Sequence, residues 1–229
     1  MTPLLPESED NDSLRALGRA SVQVVHDLKN QLNGLKLYAT FLRKRMEKDD
    51  RPVDELETVN KLLTGLDRAA TDLSMIVEFG QPVALTRQPG IDLERIVREV
   101  AARLNEHPPE TGGLAGSVVV SGDRAQLVGE FDANLLNRAL KSISLGALKL
   151  RAKGSQEPLE IKLKDEKLPT GCVGVIEWGV FDSSDSDPFH SFAGSNGLRL
   201  SLAARIIEAH GGSAERSNGA LCVRLPLSP

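Results

Sequence analysis

The sequence predicts an α+β protein, a helical hairpin dimerising into a four-helix bundle and followed by an α/β sandwich. Apolar residues recur at alternating steps of three and four through the first third of the chain, as in helices that pack side by side. Helical spacing then mixes with short alternating stretches typical of strands. These patterns divide the chain into a flexible tail over residues 1–12, the hairpin over 13–79, a linker over 80–90 and the sandwich domain over 91–229.

The first helix is predicted over residues 13–48, after an acidic, proline-containing tail. One seam of small or apolar residues follows it throughout: Leu14, Gly18, Ser21, Val25, Leu28, Leu32, Leu35, Ala39, Leu42 and Met46. A pattern of this length indicates a coiled coil or a helical bundle.

Residues 49–52 (DDRP) break the first pattern, and a second heptad follows. Its apolar positions are Leu56, Val59, Leu63, Leu66, Ala70, Leu73 and Val77. Each helix has an apolar stripe wider than one neighbouring helix covers. We therefore expect two copies of the hairpin to pair as a homodimer.

Gly80 and Pro82 end the second helix, and the linker contains a short extended piece at residues 83–85. In the sandwich domain, helical spacing predicts three helices, at residues 91–104, 134–150 and 198–210. Alternation or apolar runs predict four strands, at residues 117–120, 159–163, 172–178 and 220–225.

Composition narrows the functional classes. The net charge is −4 and the basic residues are spread throughout, which gives no electrostatic footprint for nucleic acid. No apolar run approaches the ~20 residues that span a bilayer, and no signal-peptide pattern is present. We expect a cytoplasmic protein that binds neither nucleic acid nor membrane. Cys172 and Cys222 match no metal-ligand spacing, so we expect reduced thiols and no metal site.

The residues that carry chemistry lie on the first helix. His26 stands beside the apolar seam, with Asp27 next to it and Asn30 one turn further on. A histidine beside a helix seam is often a rim residue without chemistry. An imidazole near neutral pH can nevertheless attack phosphorus, a carboxylate can orient it, and a carboxamide can position water or a phosphoryl oxygen.

Two motifs resemble the bacterial sensor histidine kinases. The residues HDLKN at 26–30 resemble the phosphoacceptor motif, with Gln31 in place of a common proline, and GLRLSLAARIIEAHGG at 197–212 resembles the second glycine box and its following helix. The resemblance implies a dimerisation and histidine-phosphotransfer domain followed by an ATPase domain of the Bergerat type. It implies that His26 is the phosphoacceptor and that Asp27 is the base that assists its phosphorylation. It also implies that Asn30 positions a water molecule or an aspartyl phosphate.

The sequence departs from this family in its ATP site. Gly146 stands where the family has the asparagine that holds magnesium, and Ser142 stands where a second asparagine is common. In the second glycine box, Arg199 replaces a glycine and will bind phosphate or form a salt bridge. The positions of this degenerate pocket are Gly146, Lys149, Glu177, Gly179, Ser195, Gly197 and Arg199.

The first glycine box has lost its adenine-reading aspartate and its second glycine. Either Glu177 reaches an adenine amine in their absence, or Trp178 and Phe181 fill the pocket. Together these departures predict weak or absent ATP binding.

A chain that keeps the phosphoacceptor helix but has lost the ATP site is similar to the phosphotransferases of phosphorelays. We therefore expect a histidine phosphotransferase that passes phosphoryl groups between His26 and receiver-domain aspartates. It needs no cofactor of its own, because the receiver supplies magnesium, and the receiver contacts Lys29, Asn33 and Lys36. The alternatives are an active histidine kinase that uses ATP and magnesium at a divergent site, a response-regulator phosphatase, and an adaptor.

Overall fold

The structure is a computed structural model. It describes residues 7–48, 53–106, 117–122, 127–150, 157–169, 171–179, 188–190, 194–217 and 219–228. The chain divides into two compact units, Met1–Pro82 and Val83–Pro229, and the division falls inside the predicted linker. A helical unit and a mixed α/β unit confirm the predicted fold class.

The first unit is a hairpin of α1 (Glu7–Lys48) and α2 (Val53–Gly80). Helix α1 begins six residues before the predicted start, within the segment predicted as a flexible tail. That segment is acidic, and negative charge is favoured at a helix N-terminus. Helix α2 has the same feature, with Asp54 and Glu55 in its first turn.

The two helices pack through a small apolar cluster. Ala39, Val59 and Leu63 are buried, and Met46 and Leu66 pack against them. The remaining seam residues of α1 do not all face α2, since Leu28, Leu35 and Leu42 are 44%, 54% and 49% exposed. The heptad seam of α1 therefore comprises two rows of residues, and one of these rows faces α2.

In the described residues of the second unit, two sheets and three α-helices are present. Its helices are α3 (Leu93–Glu106), α4 (Ala133–Leu150) and α5 (Gly194–Ala209), and its strands are β1 (Gln88–Asp92), β2 (Val118–Gly122), β3 (Val128–Phe131), β4 (Leu159–Leu168), β5 (Gly171–Trp178), β6 (Ser213–Ser217) and β7 (Ala220–Pro226). The larger sheet has the order β2-β4-β5-β7-β6, with β2 and β4 parallel and the other neighbours antiparallel. Strands β1 and β3 form an antiparallel pair.

Three of these strands were not predicted from the sequence. Strands β1, β3 and β6 are short, and none shows the long apolar alternation that identifies a strand. Strand β1 lies partly in the segment predicted as linker. Strand β4 extends past its predicted end through the charged residues 164–167 and Leu168, which pair with β5.

One face of the larger sheet packs against the helices. Fully buried side chains from the sheet, the helices and their connections form this core: Trp178, Phe131, Phe189, Leu93, Leu127, Leu136, Leu140, Ile143, Leu159, Ile161, Ile176 and Leu200. The opposite face carries cross-strand ion pairs, including Lys164 with Glu177 and Arg224 with Glu215. No helix in the described ranges combines the length and apolar character needed to cross a membrane.

Candidate functional site

The predicted phosphoacceptor motif lies in the middle of α1. His26 is helical, but its imidazole lies outside the described side chains. Asp27 and Asn30 are both exposed. Because Asn30 follows His26 by about one helical turn, the two residues share a side of α1.

The side of α1 that carries His26 continues as an exposed strip toward the C-terminus. At helical spacing it includes Asn30, Leu37, Phe41 and Lys44, and we call these residues with His26 the acceptor strip. Leu37 is 53% exposed and Phe41 is 59% exposed. Large apolar side chains at such exposure on a mainly polar helix face are typical of a protein contact.

Of the three residues predicted to contact a receiver, Asn33 lies on the same side of α1 as His26, seven residues further on, whereas Lys29 and Lys36 lie on a neighbouring side. Asn33 is exposed and Lys29 is half-buried. Lys36 pairs with Asp67 of α2 at 2.5 Å, so its ammonium group already has a partner within the hairpin.

A second apolar surface runs across both helices. The Lys36–Asp67 pair sets an antiparallel register that aligns two rows of residues, with Leu28, Leu35 and Leu42 on α1 near the levels of Ile76, Ala69 and Leu62 on α2. We call these two rows the bundle stripe. All of its members except the half-buried Ala69 are 44–54% exposed.

In the second unit, α4 and α5 are in close contact where the family motif has its magnesium-binding asparagine. Gly146 is buried in α4, and a Cβ placed on it would lie 2.7 Å from Cδ2 of Leu200 in α5. Leu200 is itself fully buried. A side chain at position 146 therefore requires Leu200 to move.

Trp178 occupies the space below α4 from the sheet side. Its ring is fully buried, and its Nε1 donates a hydrogen bond to Oγ of Ser144 at 2.9 Å. The Ser144 hydroxyl in turn donates to the carbonyl of Leu140 at 2.8 Å. Trp178 thus fills the helix side of β5 with its polar atom satisfied, while Phe181 lies outside the described residues.

Glu177 lies on the other face of the sheet. Successive residues of a strand point to opposite faces, so Glu177 points away from α4 when Trp178 points toward it. Its carboxylate accepts a hydrogen bond from Nζ of Lys164 at 2.7 Å, and this bond raises the pKa of Lys164 above its ordinary value. The structure does not bring Glu177 to the side of the sheet on which Gly146 lies.

The other predicted pocket residues are distributed as follows. Gly179 extends the sheet by one step, since its N–H donates to the carbonyl of Glu160 at 2.9 Å. Lys149 is exposed in the last turn of α4. Gly197 is buried and Arg199 is half-buried near the start of α5, and the side chain of Ser195 lies outside the described residues.

A polar cluster that the sequence analysis missed joins the starts and ends of several elements. One carboxylate oxygen of Asp132 caps α4 by accepting from Asn134 and Leu135, and the other accepts from the backbone N–H of Thr86 at 2.9 Å. Burial alone would raise the pKa of Asp132, but these three backbone donors outweigh it and lower the pKa. Asp132 directly before a helical pattern is the only sequence signal of this cluster, as a possible helix cap.

His210 completes the cluster from the end of α5. Its Nε2 accepts from the backbone N–H of Asp132 at 3.0 Å, and its Nδ1 lies 2.7 Å from the carbonyl of Ile206. The ring is therefore neutral, with its proton on Nδ1. Burial lowers the pKa of His210, and the Arg87 charge lowers it further against the opposing hydrogen bond to Ile206.

Comparison with known proteins gives the fold a context. No protein-family model and no curated protein matches this sequence. Solved structures do match it, among them full-length ShkA in complex with AMPPNP, with a TM-score of 0.67 and 17% identity over 92% of this chain and 46% of that protein. The chain has the fold of a histidine kinase core.

Two further structures share this histidine kinase fold. ThkA in complex with the response regulator protein TrrA matches with a TM-score of 0.58 and 22% identity over 97% of this chain and 65% of that one. The histidine kinase AdeS of Acinetobacter baumannii matches with a TM-score of 0.55 and 16% identity over 85% of this chain and 96% of that one. The chain thus spans about half the length of ShkA and two thirds of ThkA.

Proposed function

We propose that this protein is a histidine phosphotransferase of a two-component phosphorelay, in which His26 exchanges phosphoryl groups with aspartates of receiver domains. The observation that carries the proposal is the contact of Gly146 with Leu200, in a chain that keeps a phosphoacceptor motif on an exposed helix. Gly146 supplies no side-chain ligand for a nucleotide-bound magnesium, and Leu200 occupies the space beside it, whereas the helix still carries a histidine that can accept a phosphoryl group.

The described residues do not fit magnesium–ATP as the family motif would hold it. Gly146 offers no side-chain oxygen, whereas magnesium requires oxygen ligands in near-octahedral geometry. Leu200 and Trp178 fill the space on either side of α4, and Glu177 faces away from it. These three features support a second domain that does not charge His26 from ATP.

In the proposed reaction, an imidazole nitrogen of His26 attacks the phosphorus of an aspartyl phosphate. The new N–P bond forms as the P–O bond to the aspartate breaks, and the aspartate leaves as a carboxylate. Asp27 orients the imidazole and takes up its proton. Asn30 holds a phosphoryl oxygen from one turn along the helix. Magnesium, which neutralises phosphoryl charge when bound, belongs to the receiver in this scheme.

The acceptor strip supports a receiver as the partner. Leu37 and Phe41 lie about 16–22 Å along the helix axis from His26, so a small domain ~30 Å across that docks with one edge over His26 also covers them. ThkA, which shares the fold, was crystallised with a response regulator.

The bundle stripe supports a homodimer. Rows of half-exposed leucine and isoleucine on both helices lie on a side of the hairpin separate from the acceptor strip. A second copy would cover this stripe and form a four-helix bundle, leaving the acceptor strip open on each protomer.

The test uses two phosphoryl donors in parallel. A receiver domain charged on its aspartate with radiolabelled phosphate is mixed with the protein, and separate samples receive labelled ATP with magnesium. We expect acid-labile label on the protein from the receiver only, and none on the His26→Ala variant. Label from ATP that depends on His26 would instead establish the alternative, an active kinase.

The same experiment addresses phosphatase activity. If the protein removes phosphate from the receiver without acquiring label, the function is that of a phosphatase. Asn30→Ala would then abolish the loss of receiver phosphate while His26→Ala would leave it unchanged. An adaptor would bind the receiver without changing its phosphate.

A further inference from the structure

The first residues of the second unit cross over the start of α4 and the end of α5. We call residues 83–87 the strap. The backbone N–H of Thr86 donates to Oδ2 of Asp132, and the guanidinium of Arg87 donates to the carbonyl of Ala209 at 2.9 Å. Two adjacent strap residues thus hold two different helices.

The strap engages a point where α4 and α5 are already joined. Asp132 precedes α4 and bonds through its N–H to His210, which follows α5. Gly146, in the second half of α4, packs against Leu200, in the first half of α5. The helices are therefore antiparallel, and the strap is bonded where α4 begins and α5 ends.

The contacts of the strap are shallow. Ala84, Thr86 and Arg87 are exposed, and Val83 and Leu85 are half-buried, so no strap residue is buried. By contrast, the strand β1 that follows is paired with β3, and Leu93 beyond it is fully buried. A segment with few buried apolar contacts opens at a small fraction of the cost of global unfolding.

We propose that the strap is a releasable latch that sets the length of the tether between the phosphoacceptor hairpin and the second domain. Closed, the tether ends at Val83, which packs on the core of the second unit. Open, it ends at Gln88, where β1 begins, and gains up to about 17 Å of reach. This inference concerns domain geometry and does not rest on the proposed phosphotransfer.

Thr86 offers a matched pair of variants for the test. Thr86→Pro removes the backbone N–H that Asp132 accepts, whereas Thr86→Ala keeps it and removes only the exposed side chain. Cleavage by trypsin after Arg87 measures how often the strap opens, because trypsin cleaves after an arginine only where the surrounding chain has detached from the fold. The rate of cleavage after Arg87 is followed by mass spectrometry and divided by the rate in the urea-unfolded chain.

We expect cleavage after Arg87 to be about tenfold faster in Thr86→Pro than in Thr86→Ala, the factor that loss of one hydrogen bond to a charged acceptor gives. The second domain should stay folded in both variants, with a melting temperature lower in Thr86→Pro by only the few degrees that one hydrogen bond gives. The maximum dimension from small-angle X-ray scattering should rise in Thr86→Pro alone, by up to about 17 Å.

Two results would overturn the inference. Equal cleavage rates in the two variants would mean that the bond to Asp132 does not close the strap. Faster cleavage with an unchanged maximum dimension would mean that the strap opens without altering the tether. Both readouts are independent of phosphoryl transfer, so failure here is distinguishable from failure of the proposed function.

Discussion

Nε2 of His210 accepts the backbone N–H of Asp132 at 3.0 Å, across the junction between the end of α5 and the start of α4. The ring has no second free nitrogen, because Nδ1 bonds to the carbonyl of Ile206. A proton added to Nε2 would therefore leave the Asp132 amide without its acceptor.

This bond predicts that acid destabilises the second domain. The pKa of His210 is lowered in the folded protein by burial, so the unfolded chain binds a proton first as the pH falls below about 6.5. The free energy of unfolding should then decline by up to about 1.4 kcal/mol per pH unit until the folded pKa is reached. Urea unfolding between pH 7.5 and 5 measures this slope.

The matched control uses a histidine of the first unit. His210→Gln should flatten the slope while lowering stability, whereas His26→Gln should keep it. An unchanged slope in His210→Gln would assign the acid sensitivity to another group. The depressed pKa of Asp132 acts in a lower window, since its contribution is lost only as the pH falls below about 4.

Asp132 itself should be the most sensitive polar position of this cluster. Asp132→Ala removes the cap of α4 and the acceptor for Thr86 together, and we expect a loss of about 2 kcal/mol in the free energy of unfolding. Asp132→Asn should lose less, because its one oxygen can still cap the helix. The exposed Asp165 of β4 provides a control in which alanine changes stability by less than about 0.5 kcal/mol.

The sequence predicted elements whose patterns are local. The heptads predicted both helices of the hairpin, and apolar alternation predicted β5 and β7. The hydrogen bond between Thr86 and Asp132, which lie 46 residues apart, was not predicted from the sequence. Its donor is a backbone N–H, which nearly every residue type has, so the sequence gives no sign of it. Only the folded chain brings the two together.

The orientation of the Glu177 side chain could have been predicted from the sequence. Ile176 and Trp178 are apolar and flank Glu177, so alternation alone predicts that a carboxylate at 177 faces away from the core. The position of Leu200 beside Gly146 could not have been predicted, because it depends on how two helices pack. The sequence has a glycine where the motif that it resembles has an asparagine, and the structure shows Leu200 packed beside this glycine.

Placing an asparagine at position 146 should not create a nucleotide site. Gly146→Asn places a side chain against Leu200, and we expect it to cost about 1–3 kcal/mol through overpacking. In a Leu200→Ala background the same change should cost less, which a double-mutant cycle measures as a favourable coupling. Gly65→Asn, on an open part of α2, should leave stability nearly unchanged.

Calorimetric titration of magnesium–ATP into Gly146→Asn tests the same point chemically. We expect no heat of binding, since Trp178 still fills the helix side of β5. Binding that appears with this single change would show that the rest of the pocket is intact and would favour the kinase alternative.

Variants of Leu35 and Leu37 test the proposed dimerisation and the proposed receiver docking separately. Both are leucines of α1 with nearly equal exposure, 54% and 53%, but Leu35 belongs to the bundle stripe and Leu37 to the acceptor strip. Leu35→Asp should yield a monomer in sedimentation velocity, because it places a charge in the proposed bundle core. Leu37→Asp should remain dimeric and slow phosphoryl transfer from a charged receiver at least tenfold, since it places a charge in the proposed docking surface. If both variants stay dimeric and transfer at the parental rate, neither surface has the role assigned to it, whereas a monomeric Leu37→Asp would mean that the two surfaces are one.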